Sequence, residues 1–197
     1  MNFFRNIYHW VASVIHHMGR NTEAPNPPAE TPGPIMTMPE PSTAGDTITL
    51  IADKYCTPEE AANIPNIVKA IYEGMLHPKF KEFLCDPKNG LDLNQINGLT
   101  PEQFVEVVRT TKVTATITYY YAWTSTIGYR NEGESIIHCN RRFHDSYTVE
   151  EEASNVLHEC THLMGFDHDF RATARRPFSG PYMVNKALEY AFTFIKK

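Results

Sequence analysis

The chain has 197 residues, 42% of them hydrophobic and 12% aromatic, enough for one globular domain with additional segments. Its formal net charge of −5 gives no general attraction to phosphate, so no nucleic-acid partner is expected. The four cysteines, Cys56, Cys85, Cys139 and Cys160, lack paired metal-ligand spacing; export would permit two disulfides, whereas a cytosolic location would keep them reduced.

Residues 1–20 place Phe3, Phe4, Ile7, Trp10, Val11, Val14, Ile15 and Met18 at helical spacing, opposite Arg5, His9, His16 and Arg20. The spacing predicts an amphipathic helix whose apolar run is too interrupted to cross a bilayer and too broken to serve as a cleavable signal peptide. A membrane surface, a protein partner or the body of the domain are all suitable docking faces for it. From 21 to 46 the chain holds Pro25, Pro27, Pro28, Pro32, Pro34, Pro39 and Pro41, half of its 14 prolines, and almost no large apolar residues. That composition predicts a Pro-rich flexible linker, with a single domain from 47 to 197.

Within the domain the expected order is helices first, then strands. Thr57-Pro58-Glu59-Glu60 and Thr100-Pro101-Glu102-Gln103 are helix starts with proline at the first helical position. From Lys112 the period becomes two, with Val113, Ala115, Ile117, Tyr119 and Tyr121 alternating against Thr114, Thr116, Thr118 and Tyr120, which predicts a strand. Gly128 to Gly133 suits a turn and Ser135 to Asn140 a second strand. Thr148 with Glu151 is a capping box, and the apolar positions that follow predict a helix from Val149 to Met164. A last helix is expected from Val184 to Lys197.

The helix from Val149 carries His158-Glu159-Cys160-Thr161-His162. Residues four apart share a helix face, so His158 and His162 can bind one metal, and Glu159 is placed to take a proton from a water on that metal. Gly165 is a natural helix stop, after which the chain can return His168 as a third nitrogen ligand. Three protein ligands leave a fourth tetrahedral position open, the mark of a catalytic zinc site. Cys160 points away from His158 and reads as packing. Asp167 and Asp169 are candidate acceptors for the ligand histidines.

His158, Glu159, His162, Gly165 and His168 match HExxHxxGxxH position by position, and the chain therefore resembles the metzincin clan of zinc metallopeptidases. The resemblance implies an α+β zincin fold with a small mixed sheet, a buried zinc-binding helix and a C-terminal helix. It also implies Zn2+ as the cofactor, a peptide or protein substrate and endopeptidase activity. It further implies a methionine-containing turn under the metal, for which Met183 in Ser179-Gly180-Pro181-Tyr182-Met183 is the candidate. Asn185 stands where some members carry a ligand tyrosine, so three protein ligands are expected. Tyr182 is a candidate donor to the reaction's oxyanion, ahead of His144 and Tyr147. The strand at Ile136 to Arg141 is the candidate edge for pairing with substrate.

Three alternatives accompany this reading. Gly165-Phe166-Asp167-His168 also resembles the ending found in bacterial metal-dependent endoribonucleases of ribosomal RNA maturation, but those typically carry glycine where this chain has Glu159. Glu189 is a gluzincin-type third ligand in place of His168. A non-catalytic zinc-binding protein in a larger assembly would have no need of Glu159. The pairs Arg141-Arg142 and Arg175-Arg176 read as solvated surface.

Overall fold

A computed structural model describes residues 47–169 and 171–195. The expected amphipathic helix at 1–20 and the linker at 21–46 lie outside these residues. The described chain is α+β: six α-helices and a mixed four-stranded sheet.

In chain order, β1 (Ile48–Ala52) leads into α1 (Pro58–Leu76), α2 (Pro78–Cys85) and α3 (Pro101–Thr110). The chain then runs through β2 (Val113–Tyr120), β3 (Gly128–Tyr129), β4 (Ile136–Asn140) and the short α4 (Arg141–His144). The helices α5 (Val149–Leu163) and α6 (Gly180–Ile195) complete it. The helix starts follow from the sequence: Thr57, Thr100 and Thr148 each close a reciprocal capping box, with Glu60, Gln103 and Glu151 respectively.

The sheet order is β1-β2-β4-β3, with β1, β2 and β4 parallel and β3 antiparallel to β4. Two expectations change here. The order is not helices first, because β1 precedes them, pairing in register from Ile48 opposite Val113. Its alternating burial is the signature of a half-buried strand, but five residues are a weak periodic signal. Nor is Gly128 to Gly133 all turn: Gly128 and Tyr129 pair with Cys139 and His138, and the turn proper lies at Asn131–Glu134. As a result β4, within the Ile136–Arg141 segment expected at the edge, is an interior strand between β2 and β3, and the two edges are β1 and β3.

Helix α5 lies in the centre, packed on α1 and α6 and touching β2, β3 and β4. Ala153, Val156, Leu157 and Cys160 of α5 are fully buried in a core shared with Ile67, Ile71, Ile117, Ile137 and Leu188. Burial of this stripe fixes α5 against its neighbours, and so fixes where its polar residues emerge. No helix among the described residues is long and apolar enough to cross a membrane. All four cysteines are free, and burial pushes the Cys160 thiol up to about 12, as befits a packing residue.

Candidate metal centre and active site

Helix α5 ends in a Schellman motif: the Gly165 amide donates to the His162 carbonyl (3.0 Å) and the Phe166 amide to the Thr161 carbonyl (3.2 Å). Gly165 has φ +90°, a conformation that glycine enters without a Cβ clash. Phe166 is then fully buried, edge-on to Phe104 with ring centroids 4.8 Å apart. This anchor holds the returning chain against the domain and brings His168 back to the helix.

The three histidines meet. Their ring centroids are 5.1 Å (His158 to His162), 5.5 Å (His158 to His168) and 4.7 Å (His162 to His168) apart. One nitrogen from each lies within 4.8 Å of the others, and no other group of three metal-ligating side chains is this close among the described residues. Tetrahedral ligands at zinc distances stand roughly 3.4 Å apart, so small rotations of the rings bring the set to a single ion. The donor set, three imidazoles without a thiolate, suits zinc with an open position.

The remaining contacts orient these rings. His162 Nδ1 is 2.9 Å from both the Phe166 carbonyl and Asp167 Oδ1, so Nδ1 carries the hydrogen and Nε2 faces the other rings. His168 Nδ1 lies 3.3 Å from the Asp169 carbonyl, and His158 hydrogen-bonds to the Pro181 carbonyl. Asp167 therefore meets the expected role through its carboxylate. Asp169 does so only through its backbone, its carboxylate accepting from the Thr173 hydroxyl instead. Burial, the neighbouring imidazoles and Arg176 hold His158 well below the usual histidine range, and burial with His162 and Arg176 pushes His168 down to about 4. Both rings are thus kept neutral, as metal ligation needs.

Glu159 is 7% exposed and makes no hydrogen bond or ion pair among the described residues. Burial raises its carboxyl above the ordinary range, with His162 and Arg130 drawing it back. Strand β3 passes close by: a Cβ added to Gly128 would lie 3.7 Å from Glu159 Oε1 and 3.2 Å from the His138 carbonyl. The buried Asn140 side chain sets that approach by holding the preceding loop, donating to the carbonyls of Ala122 and Thr126 (both 3.0 Å) and accepting from the Ala122 amide (3.2 Å).

On the other side, the Tyr182 ring lies 4.7 Å from His158 and 5.0 Å from His168. Arg176 sits over that ring at 5.4 Å and donates a hydrogen bond to the Tyr182 phenol oxygen. Burial raises the Tyr182 phenol, and Arg176 opposes the shift.

Several expectations need adjusting. Met183 is fully buried, but it lies in the first turn of α6, which begins at Gly180 and not near Val184; its amide donates to the Ser179 carbonyl (2.9 Å). Segment 179–183 still supports the histidines, through Pro181 and Tyr182. Proline needs no amide partner in a helix's first turn, so the helix starts four residues earlier than the apolar spacing suggests. His144 and Tyr147 line a different cavity. Glu189 faces Glu151 and Lys186, and burial with the Glu151 charge pushes it up to about 7. Arg176 is half-buried beside the histidines and Arg141 grips Glu60 at 2.7 Å, so neither is merely solvated surface. Arg130 and Asn140 were passed over in the sequence: the Arg130 charge lowers the Glu159 carboxyl, and Asn140 braces the loop that leads into β3. Comparison with protein-family models, with curated proteins and with solved structures finds no match for this chain.

Proposed function

We propose that the protein is a zinc-dependent endopeptidase of metzincin-like design. The observation that carries this reading is a buried carboxylate, Glu159, with no hydrogen bond or ion pair among the described residues, adjoining three imidazoles that lie close together. A structural zinc site has no use for such a group. The Gly165 turn and the C-terminal helix that contacts His158 through Pro181 support the reading; the helical position of Met183 and the interior position of the strand at Ile136–Asn140, the expected substrate edge, depart from what the resemblance implies.

His158, His162 and His168 would hold the zinc ion, which when bound would supply Lewis acidity towards a water molecule and a peptide carbonyl. Glu159 takes a proton from the attacking water and delivers it to the leaving amine, a role suited to a carboxyl raised by burial. Tyr182, against His158 and His168, donates to the oxyanion as it develops. Arg176, 5.4 Å from the ring centroid, orients the tyrosine. We assign main-chain pairing with an extended peptide to β3, the strand at the sheet edge and next to Glu159.

The test is cleavage of a diverse peptide library by the zinc-loaded full chain and by Glu159→Gln, with bound metal measured in both. Cleavage by the parent alone at equal zinc content is the expected result. Equal cleavage by both proteins removes Glu159 from the mechanism. Full zinc occupancy with no peptide cleavage, but with cleavage of RNA, replaces the peptidase reading with a nucleic-acid hydrolase.

A further inference from the structure

In a chain of net charge −5, two guanidinium groups lie close to the histidine centre. Arg176 is committed to Tyr182. The other, Arg130, directly follows β3. Side chains alternate along a strand, so Arg130 shares the face of Gly128 and not that of Tyr129. The Gly128 face looks onto the catalytic end of α5: a Cβ there would lie 3.7 Å from Glu159 Oε1. The Tyr129 ring points the other way and stacks on His138, with ring centroids 4.5 Å apart. In keeping with this placement, the Arg130 charge lowers the carboxyls of both Glu159 and Asp167.

The hydrogen bonds of Arg130 hold it in place without neutralising it. Nη1 donates to the carbonyls of Asn131 (3.1 Å) and Glu134 (3.3 Å), which fixes the guanidinium against the turn that follows β3. No carboxylate pairs with it among the described residues. The Glu134 carboxylate accepts from Asn131 Nδ2 (2.8 Å) and lies 3.7 Å from His138 Nε2, the Asp167 carboxylate is hydrogen-bonded to His162, and burial disfavours the charged form of Glu159. A positioned cation at a partly buried site attracts an anion more strongly than one in open solvent, and the planar fork of arginine matches a carboxylate.

We infer that Arg130 selects peptides that carry an aspartate or glutamate close to the bond that is cut. This role rests on the endopeptidase reading and on β3 as the edge that pairs with substrate. Gly128 and Arg130 are one strand repeat apart, roughly 6.5 Å, so a peptide paired with β3 and cut beside Glu159 presents a side chain to Arg130 within about two residues of that bond. A neutral side chain at that position leaves the guanidinium with its two backbone carbonyls alone, whereas a carboxylate gains a charged hydrogen bond.

The test uses the zinc-loaded full chain and a diverse peptide library, followed by kcat/KM for matched peptides that differ only by Asp against Asn, or Glu against Gln, near the cut. The parent should cut the carboxylate peptide roughly 10–100-fold more efficiently than its amide partner. Arg130→Gln should lose this preference, and Arg130→Lys, which keeps the charge without the fork, should retain a severalfold smaller one. Comparing the two peptides within each variant cancels any change at Glu159 that affects both alike. Equal cleavage of the pair by the parent, or a preference that survives Arg130→Gln, overturns the proposal and leaves Arg130 as a brace for the turn, while the endopeptidase reading stands. Absence of cleavage of every peptide overturns both. If Arg130→Gln fails to fold, Arg130→Lys decides, and a preference equal to the parent's overturns the role.

Discussion

Glu152 and Glu159 stand seven residues apart on α5, nearly in line along one face of the helix, and both are buried. Their surroundings are opposite. Glu152 receives Tyr119, Asn63 and His144, whereas Glu159 receives no side chain or amide among the described residues. A buried carboxylate with a full set of donors contributes to the fold, and one without them is held at the expense of the fold. Under the proposed function, the same residue type on the same helix serves structure at one end and chemistry at the other, and the partners decide which.

Conversion to glutamine separates the two roles. Glu159→Gln should reduce peptidase turnover at least ~100-fold, the scale of general-base catalysis, while zinc stays bound and thermal stability holds or rises. Glu152→Gln should do the reverse: an amide cannot accept from all three partners, and the loss should be about 1–3 kcal/mol by denaturant titration, with the zinc content unchanged. If Glu152→Gln abolished turnover without loss of stability, the division between the two ends of α5 would fail.

A second test moves to the anchor that makes the C-terminal end possible. Phe166 is fully buried against Phe104, and its removal should cost about 3–5 kcal/mol by denaturant titration. Because it holds the returning chain, Phe166→Ala should also weaken zinc binding, as read by chelator competition on the folded fraction. A smaller effect is expected at Asp167. Its carboxylate is held below the usual range chiefly by its hydrogen bond to His162 Nδ1, although the side chain is largely exposed. Asp167→Asn should lower zinc affinity about tenfold with little change in stability, since the Phe166 carbonyl still orients the ring.

The two ends of α5 were not equally legible in the sequence. The histidine centre could be read because its information is local: a helical spacing of four, a glycine at the helix end and a third histidine just beyond, all within residues 158–168. The Glu152 cluster could not, because Asn63, Tyr119 and His144 come from α1, β2 and α4, and only the tertiary fold brings them together. Arg130 and Asn140 were passed over, and Arg176 was read as solvated surface, for the same reason: each reaches its target from a different element. The capping boxes gave the starts of α1, α3 and α5 because they are satisfied within four residues. Strands β1 and β3 were missed because five and two residues carry too little periodicity, their pairing being specified by β2 and β4.

The remaining effect is confined to one pH range and concerns Glu189, a third buried carboxyl, facing the first turn of α5 from α6. Burial and the Glu151 charge push it up to about 7, with Lys186 opposing. In the unfolded chain the same group titrates in the ordinary carboxylate range, so at intermediate pH the native state keeps a proton that the unfolded state has released. Stability from this group is therefore present at acid pH, falls as the pH rises from the ordinary carboxylate range towards about 7, and is level above that. Glu189→Gln should remove this slope, leaving the variant more stable than the parent at pH 8 and little different at pH 4, by thermal melts across that range. Because Glu189 is no part of the histidine centre, turnover at a fixed pH should be unaffected once both proteins are folded. A loss of zinc in Glu189→Gln would instead make Glu189 a ligand, and would transfer the third metal position from His168 to α6.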